Sequence, residues 1–215
     1  MSVTEYHKID SIFARDTRGQ ILEGQYARPE FEYLADNQWV FTEKVDGTNI
    51  RLGFGGEPEF RGNEHAFIRG RTDSAQLPPH LLNRLVEIMR AAPFESVFDG
   101  PVVLFGEGYG AKIQKGGGNY ISDGCDFVLF DVRVGTWWLR RDAVEDVADK
   151  LGLDVVPILG KGTLADAVAM TREGFPSARW PGVAVAEGLV LRPEVELFDR
   201  RGERVITKIK RKDFR

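Results

Sequence analysis

The chain predicts an α+β fold: antiparallel β-sheets flanked by a few helices. Three observations lead there. Runs rich in Val, Ile, Leu and Phe outnumber helical stretches, helices and strands follow no regular alternation, and no repeat, low-complexity tract or Pro/Ser linker divides the chain. Its 215 residues, 42% hydrophobic and 29% charged, suffice for a core in a single domain, 1–215. Residues 1–38 form an N-terminal segment ahead of the patterned region 39–212.

Strands are predicted at 39–44, 49–54, 101–106, 126–133, 136–139, 154–159, 186–192 and 204–210. A helix is predicted over 80–91, where Leu81, Leu82, Leu85, Ile88 and Met89 share one face. A second spans 143–151, with Asp142 placed to cap it, Val144, Val147, Ala148 and Leu151 as its stripe, and Gly152 as its stop. A third follows Thr163, turning Leu164, Ala167 and Val168 inward and ending near Gly174.

Composition removes several function classes. A lone Cys125 excludes an intramolecular disulfide and a cysteine zinc cage, and His7, His65 and His80 lack ligand spacing. The N-terminus has no signal-peptide stretch and nowhere do 18 apolar residues run together, so a cytoplasmic protein with no membrane partner is expected. The formal charge of −4 is no global nucleic-acid signature, yet residues 201–215 carry seven Lys/Arg against two acids. That basic pole suits a polyanion or is a solvated surface.

Five motifs carry chemistry. EKVDGTNI, 43–50, sets Lys44 at the end of an apolar run, before Asp46, Gly47, Thr48 and Asn49. An amine is a nucleophile only when neutral, and a free lysine titrates at about 10.4, so neighbouring cations, desolvation or a metal must assist it. Gly47 would let backbone approach a ligand; a hairpin with Asp46-Gly47 at its tip accounts for the same residues. VVLFGEGYG, 102–110, delivers Glu107 between Gly106 and Gly108, suited to a ribose or metal contact, or simply to a strand end and turn. GGGN, 116–119, lacks the Lys-Ser/Thr ending of a phosphate-binding P-loop.

In DFVLFDVRV, 126–134, strict alternation puts Phe127, Leu129 and Asp131 on one face and Val128, Phe130 and Val132 on the other. An aromatic residue beside an acid there either stacks a base or fills a core. AEGLVLRP, 186–193, places Glu187 before an apolar strand, where its charge needs a partner, a metal-bound phosphate or a lysine. VITKIKRK, 205–212, puts Lys208 and Lys210 on one strand face with Ile209 opposite, poised for an anion or protecting a sheet edge.

The five in this order resemble motifs I, III, IIIa, IV and V of the covalent nucleotidyltransferases, which include DNA ligases, RNA ligases and mRNA capping enzymes. FGEGYGAKIQKGGGNY with EKVDGTN most resembles the double-strand RNA ligase 2-like branch. The resemblance implies an adenylyltransferase domain of the ATP-grasp-like ligase type, using ATP and Mg²⁺ or Mn²⁺ to join 5′-phosphate and 3′-hydroxyl ends. By the same resemblance Lys44 would be adenylated, with Glu43 beside the adenine. Asn49 and Arg71, from FIRGRTD, would contact the nucleotide or its phosphate, Glu107 would hold the ribose, and Phe130 would stack on the base. Asp131 would support that pocket, Glu187 would bind the metal, and Lys208 and Lys210 would engage the α-phosphate.

Two departures stand out. Position 46 is aspartate, as in DNA ligases and capping enzymes, where the nearest RNA ligases carry histidine. The OB-fold or helical domain that follows in those enzymes is not expected here, so RNA ends or a nicked duplex would be gripped by the basic pole, by residues 1–38 or by an accessory subunit. A minimal DNA-nick ligase, a capping-type guanylyltransferase and a non-catalytic nucleic-acid end-binding protein remain open.

Overall fold

The computed structural model describes residues 5–55 and 66–214, so His65 lies outside it. Thirteen strands follow in chain order. They are β1 (Asp10–Ser11), β2 (Phe13–Arg15), β3 (Ile21–Tyr26), β4 (Trp39–Lys44), β5 (Thr48–Phe54), β6 (Ala66–Gly70), β7 (Val102–Gly110), β8 (Cys125–Val134), β9 (Trp137–Trp138), β10 (Asp154–Val155), β11 (Ile158–Gly162), β12 (Gly188–Pro193) and β13 (Thr207–Lys210). The helices are α1 (Pro29–Tyr33), α2 (Pro79–Ala91), α3 (Phe94–Val97), α4 (Arg141–Leu151) and α5 (Leu164–Glu173).

Two compact units result, one of Asp46–Val156 with the N-terminal residues through His7, the other of Lys8–Val45 and the chain from Pro157 onward. In the first, strands run β10-β8-β7-β5-β6, with β9 folded back on β8. Ile50, Leu52, Leu104, Phe127, Leu129 and Val132 pack from this sheet against Leu81, Leu85 and Ile88 of α2 and Val144 and Ala148 of α4. In the second, the order is β1-β13-β12-β4-β11, beside a two-stranded β2-β3 ribbon. Its core joins Trp39 and Phe41 of β4, Leu189 and Leu191 of β12 and Ile209 of β13 to Leu164, Ala167 and Val168 of α5.

Pairing is antiparallel except at β1 with β13 and at β10 with β8, so the predicted class holds with two parallel edge pairs. α5 begins where expected: Thr163 and Asp166 satisfy each other's backbone N–H groups in a capping box. α4 ends at Gly152, whose φ of 68° suits glycine. Asp142 does not cap it, because the helix starts two residues earlier than expected, at Arg141, and Asp142 instead pairs with Arg140 at 2.8 Å. Leu82 is 38% exposed, off the buried α2 stripe.

The run 154–159 is two strands in different sheets, interrupted at Val156 and Pro157. The hairpin alternative at Asp46-Gly47 does not form: β4 pairs with β11 and β12, whereas β5 pairs with β6 and β7. No helix among the described residues is long and apolar enough to cross a membrane.

Candidate active site

β4, β12 and β13 lie side by side, and their register brings four charged side chains together. Gly188 is opposite Lys44 on one neighbour and opposite Lys210 on the other. Glu187, one residue earlier, is bridged by both: Lys44 Nζ donates to its Oε2 at 2.7 Å and Lys210 Nζ to its Oε1 at 2.6 Å. Strand alternation puts Lys208 on the same face of β13 as Lys210, with Ile209 buried opposite.

Burial works to raise the Glu187 carboxyl, but the two ammonium groups outweigh it and hold its pKa below the usual carboxylate value. Lys208 is lowered, first by burial and then by repulsion from Lys44 and Lys210. Two lysines bridging one carboxylate, with a third lysine on the same strand face, make a positively charged surface of the kind that suits an anion.

Glycine at 188 lets the strands close up. Its φ is 157°, and a Cβ there would stand 2.0 Å from the Ile209 carbonyl oxygen. Glu43 belongs to the other face of β4. It is 1% exposed, its Oε2 accepts from Ser177 Oγ at 3.0 Å and Ala178 N at 3.1 Å, and its Oε1 has no hydrogen-bond partner. Burial raises its pKa against those two hydrogen bonds. The carboxylate expected beside an adenine therefore points away from the face that carries Lys44.

The remaining predicted residues lie in the first unit. Asn49 and Glu107 are paired across β5 and β7, as are Arg51 and Phe105, so all four share the sheet face opposite the α2 core. The buried Asn49 Oδ1 has no hydrogen-bond partner. Gly106 and Gly108 open no space for a ligand: Cβ atoms there would meet Phe127 at 2.3 Å and Leu81 at 2.7 Å, on the core side. Gly47 likewise serves packing, since a Cβ would stand 2.3 Å from the Gly108 carbonyl oxygen.

The alternation predicted for β8 breaks at Phe130. Phe105 pairs with Asp131 and Gly106 with Leu129, leaving Phe130 as an extra, bulged residue. The bulge puts Phe127, Leu129 and Val132 in one core and turns Asp131 away from it. Arg71 is exposed just beyond β6.

Sequence reasoning missed two groups on this unit. Arg51 is fully buried, donating from Nε to the Gly70 carbonyl at 2.8 Å and from Nη2 to Asp73 at 2.7 Å, and Arg69 reaches the same Asp73 oxygen at 2.9 Å. Those two arginines face each other across β5 and β6, and their like charges require that carboxylate. Tyr6 donates its hydroxyl to Asp131 Oδ2 at 2.9 Å. Neither group had a local signal, since the strand carrying Arg69 was not predicted and Tyr6 is 125 residues from Asp131.

The basic pole is dispersed. Arg204 is 3% exposed and pairs with Glu196 at 3.3 Å, while Lys208 and Lys210 belong to the lysine–carboxylate cluster. No group of three or more His, Cys, Asp or Glu among the described residues could hold a metal ion. Glu187 offers one carboxylate, which suits an ion bound mainly through substrate phosphates and water.

The fold is similar to that of solved RNA ligases. The Naegleria gruberi RNA ligase with PPi superposes with a TM-score of 0.62 at 19% identity, over 95% of this chain and 61% of that one. A mutant of that ligase with ATP and Mn gives 0.63 at 19% identity, over 97% and 58%. A further mutant with AMP and Mn gives 0.62 at 18% identity, over 97% and 58%. The chain thus spans about three-fifths of the length of these ligases. No curated protein sequence matches it. The chain belongs to the RNA ligase family, which matches residues 37–210.

Proposed function

We propose that this protein is an ATP-dependent RNA ligase that joins 5′-phosphate and 3′-hydroxyl ends through a lysine–AMP intermediate on Lys44. The observation that carries the reading is the bridging of the Glu187 carboxylate by Lys44 and Lys210, with Lys208 on the same face of β13 as Lys210. Family membership and the ATP- and Mn-bound ligases of the same fold support it.

In the first step the neutral Lys44 amine attacks the α-phosphorus of ATP. A nitrogen–phosphorus bond forms, the bond from the α-phosphorus to the bridging oxygen breaks, and pyrophosphate leaves with the electron pair. Glu187 Oε2, 2.7 Å from Nζ, is the acceptor placed for the amine's proton. Lys208 and Lys210 offset the charge on the transferring phosphoryl group, which is the main demand of such a reaction. AMP then passes to an RNA 5′-phosphate as a 5′–5′ pyrophosphate, and a 3′-hydroxyl attacks that end and expels AMP.

A divalent ion, Mg²⁺ or Mn²⁺, held by Glu187 and the phosphates would add Lewis-acid polarisation. The family resemblance extends nucleotide contacts to Asn49, Arg71, Glu107 and Phe130, and the unpartnered Asn49 Oδ1 supports a polar ligand at that position. Glu43 we read instead as a strut that fixes residues 177–178, because its carboxylate faces away from Lys44.

Incubation with α-labelled ATP, denaturation and mass mapping tests the reading. One AMP is expected on the peptide holding Lys44, none in Lys44→Ala, and at least a hundredfold slower loading in Lys210→Ala by loss of charge at the phosphoryl group, of order the 10²–10³ seen for oxyanion donors. Label retained covalently by Lys44→Ala would overturn it. Parallel reactions with GTP, and with nicked DNA in place of RNA, separate capping-type and DNA-ligase chemistry.

A further inference from the structure

We propose that Tyr6 is a positioning residue for Phe130, and through it for a nucleobase; this rests on the nucleotide-stacking reading of Phe130 given above. The argument starts from the bulge. Between the pairs Phe105–Asp131 and Gly106–Leu129, β8 carries one residue more than β7, and that residue is Phe130. A bulged residue has no ladder partner, so the direction of its side chain is set by what packs on it.

Tyr6 packs on it from the N-terminal segment. Its ring meets Phe130 edge-on, with centroids 5.2 Å apart and planes at 68°, a favoured aromatic geometry. Its hydroxyl donates to Asp131, the very next residue, at 2.9 Å. Both ends of that hydrogen bond are buried: Tyr6 is 5% exposed and Asp131 is 0% exposed. One side chain therefore holds two consecutive residues of the bulge.

Tyr6 is itself immobilised. Phe105 lies 5.1 Å from its ring, His7 4.7 Å and Trp138 5.8 Å. Phe130 differs from Phe127 on the same strand in being only half-buried, which leaves some ring surface for a ligand. A residue merely filling a core needs no coupling to Phe130; a positioning residue does.

A double-mutant cycle on ATP separates the two. Tyr6→Ala is expected to raise the KM for ATP in Lys44 adenylation about tenfold, within the range for loss of one base–aromatic stack, with kcat changed less than about threefold. Tyr6→Phe keeps the ring and loses the hydrogen bond, so a rise of about two- to fivefold is expected. In a Phe130→Ala background neither substitution should raise KM further, because the contact it acts through is gone. Equal fold-effects with and without Phe130, or an unchanged KM in Tyr6→Ala, would overturn the proposal.

If Tyr6→Ala does not fold, as judged by circular dichroism, the Tyr6→Phe arm of the cycle decides alone. Should the wild type bind ATP without labelling Lys44, the ligase reading fails and the same cycle is read from ATP dissociation constants by calorimetry. A wild type that does not bind ATP overturns both.

Discussion

Glu43 and Glu187 are neighbours in register, since Leu189 is opposite Glu43 and Gly188 opposite Lys44, yet they answer pH in opposite senses. Glu187 is held below its ordinary value by Lys44 and Lys210, so its contribution to stability is present above about pH 4.3, the unperturbed glutamate value, and is lost as pH falls through its lower folded value. Glu43 is raised by burial, so its contribution is full below about pH 4.3 and is lost as pH rises through its higher folded value. Glu43→Gln keeps an oxygen for Ser177 and Ala178 and removes the charge. Its melting temperature should match the wild type near pH 4 and exceed it as pH rises toward pH 8, the gap widening until pH passes the raised folded value of Glu43 and then holding steady. Thermal melts across that interval check this; a gap that stays constant with pH would mean the carboxyl charge is not what burial opposes.

At the scale of elements, the site is a consequence of three strands closing on a glycine. Gly188→Ala would set a methyl 2.0 Å from the Ile209 carbonyl oxygen and 2.8 Å from the Lys210 Cα, so β12 and β13 must part. A loss of about 1–3 kcal/mol in urea unfolding is expected, with slowed Lys44 labelling as Glu187 shifts. Gly118→Ala, where nothing lies within 4 Å, should stay within about 0.5 kcal/mol of wild type. Equal losses in both would remove the special role of position 188. The lysine alternation on β13 was legible in the sequence because one buried residue, Ile209, separates two polar ones. The capping box at Thr163 and the α2 stripe of Leu81, Leu85 and Ile88 were legible for the same reason, that the signal is local. β1, β2, β3 and β6 escaped notice, being short or broken by polar residues and glycine. The bulge at Phe130 and the inward turn of Gly106 and Gly108 were hidden, because register is decided by the partner strand. Tyr6 and Asp131 are 125 residues apart, beyond any periodicity.

Across the whole molecule, each unit has its own hydrophobic core, and the lysine cluster belongs entirely to the second. Lys44 and Lys210 share the Glu187 carboxylate there, and Lys208, on the same strand face as Lys210, has its pKa lowered first by burial and then by those two ammonium groups. An anion that binds the folded cluster and not the unfolded chain must stabilise the protein by mass action. At a hundred times its dissociation constant that amounts to about 2.7 kcal/mol. For a chain of this length such a gain raises the melting temperature by about 5–10 °C. Pyrophosphate, the leaving group of the proposed first step, is the probe of choice. It should raise the melting temperature at an ionic strength where matched chloride does not, and hydrogen exchange should slow chiefly along β4, β12 and β13. Lys208→Ala should abolish most of the shift while leaving the α2 and α4 amides unchanged, since their core is in the other unit. A shift that survives in Lys208→Ala, or protection spread evenly over both cores, would place the anion elsewhere and leave the lysine cluster as a structural bridge alone.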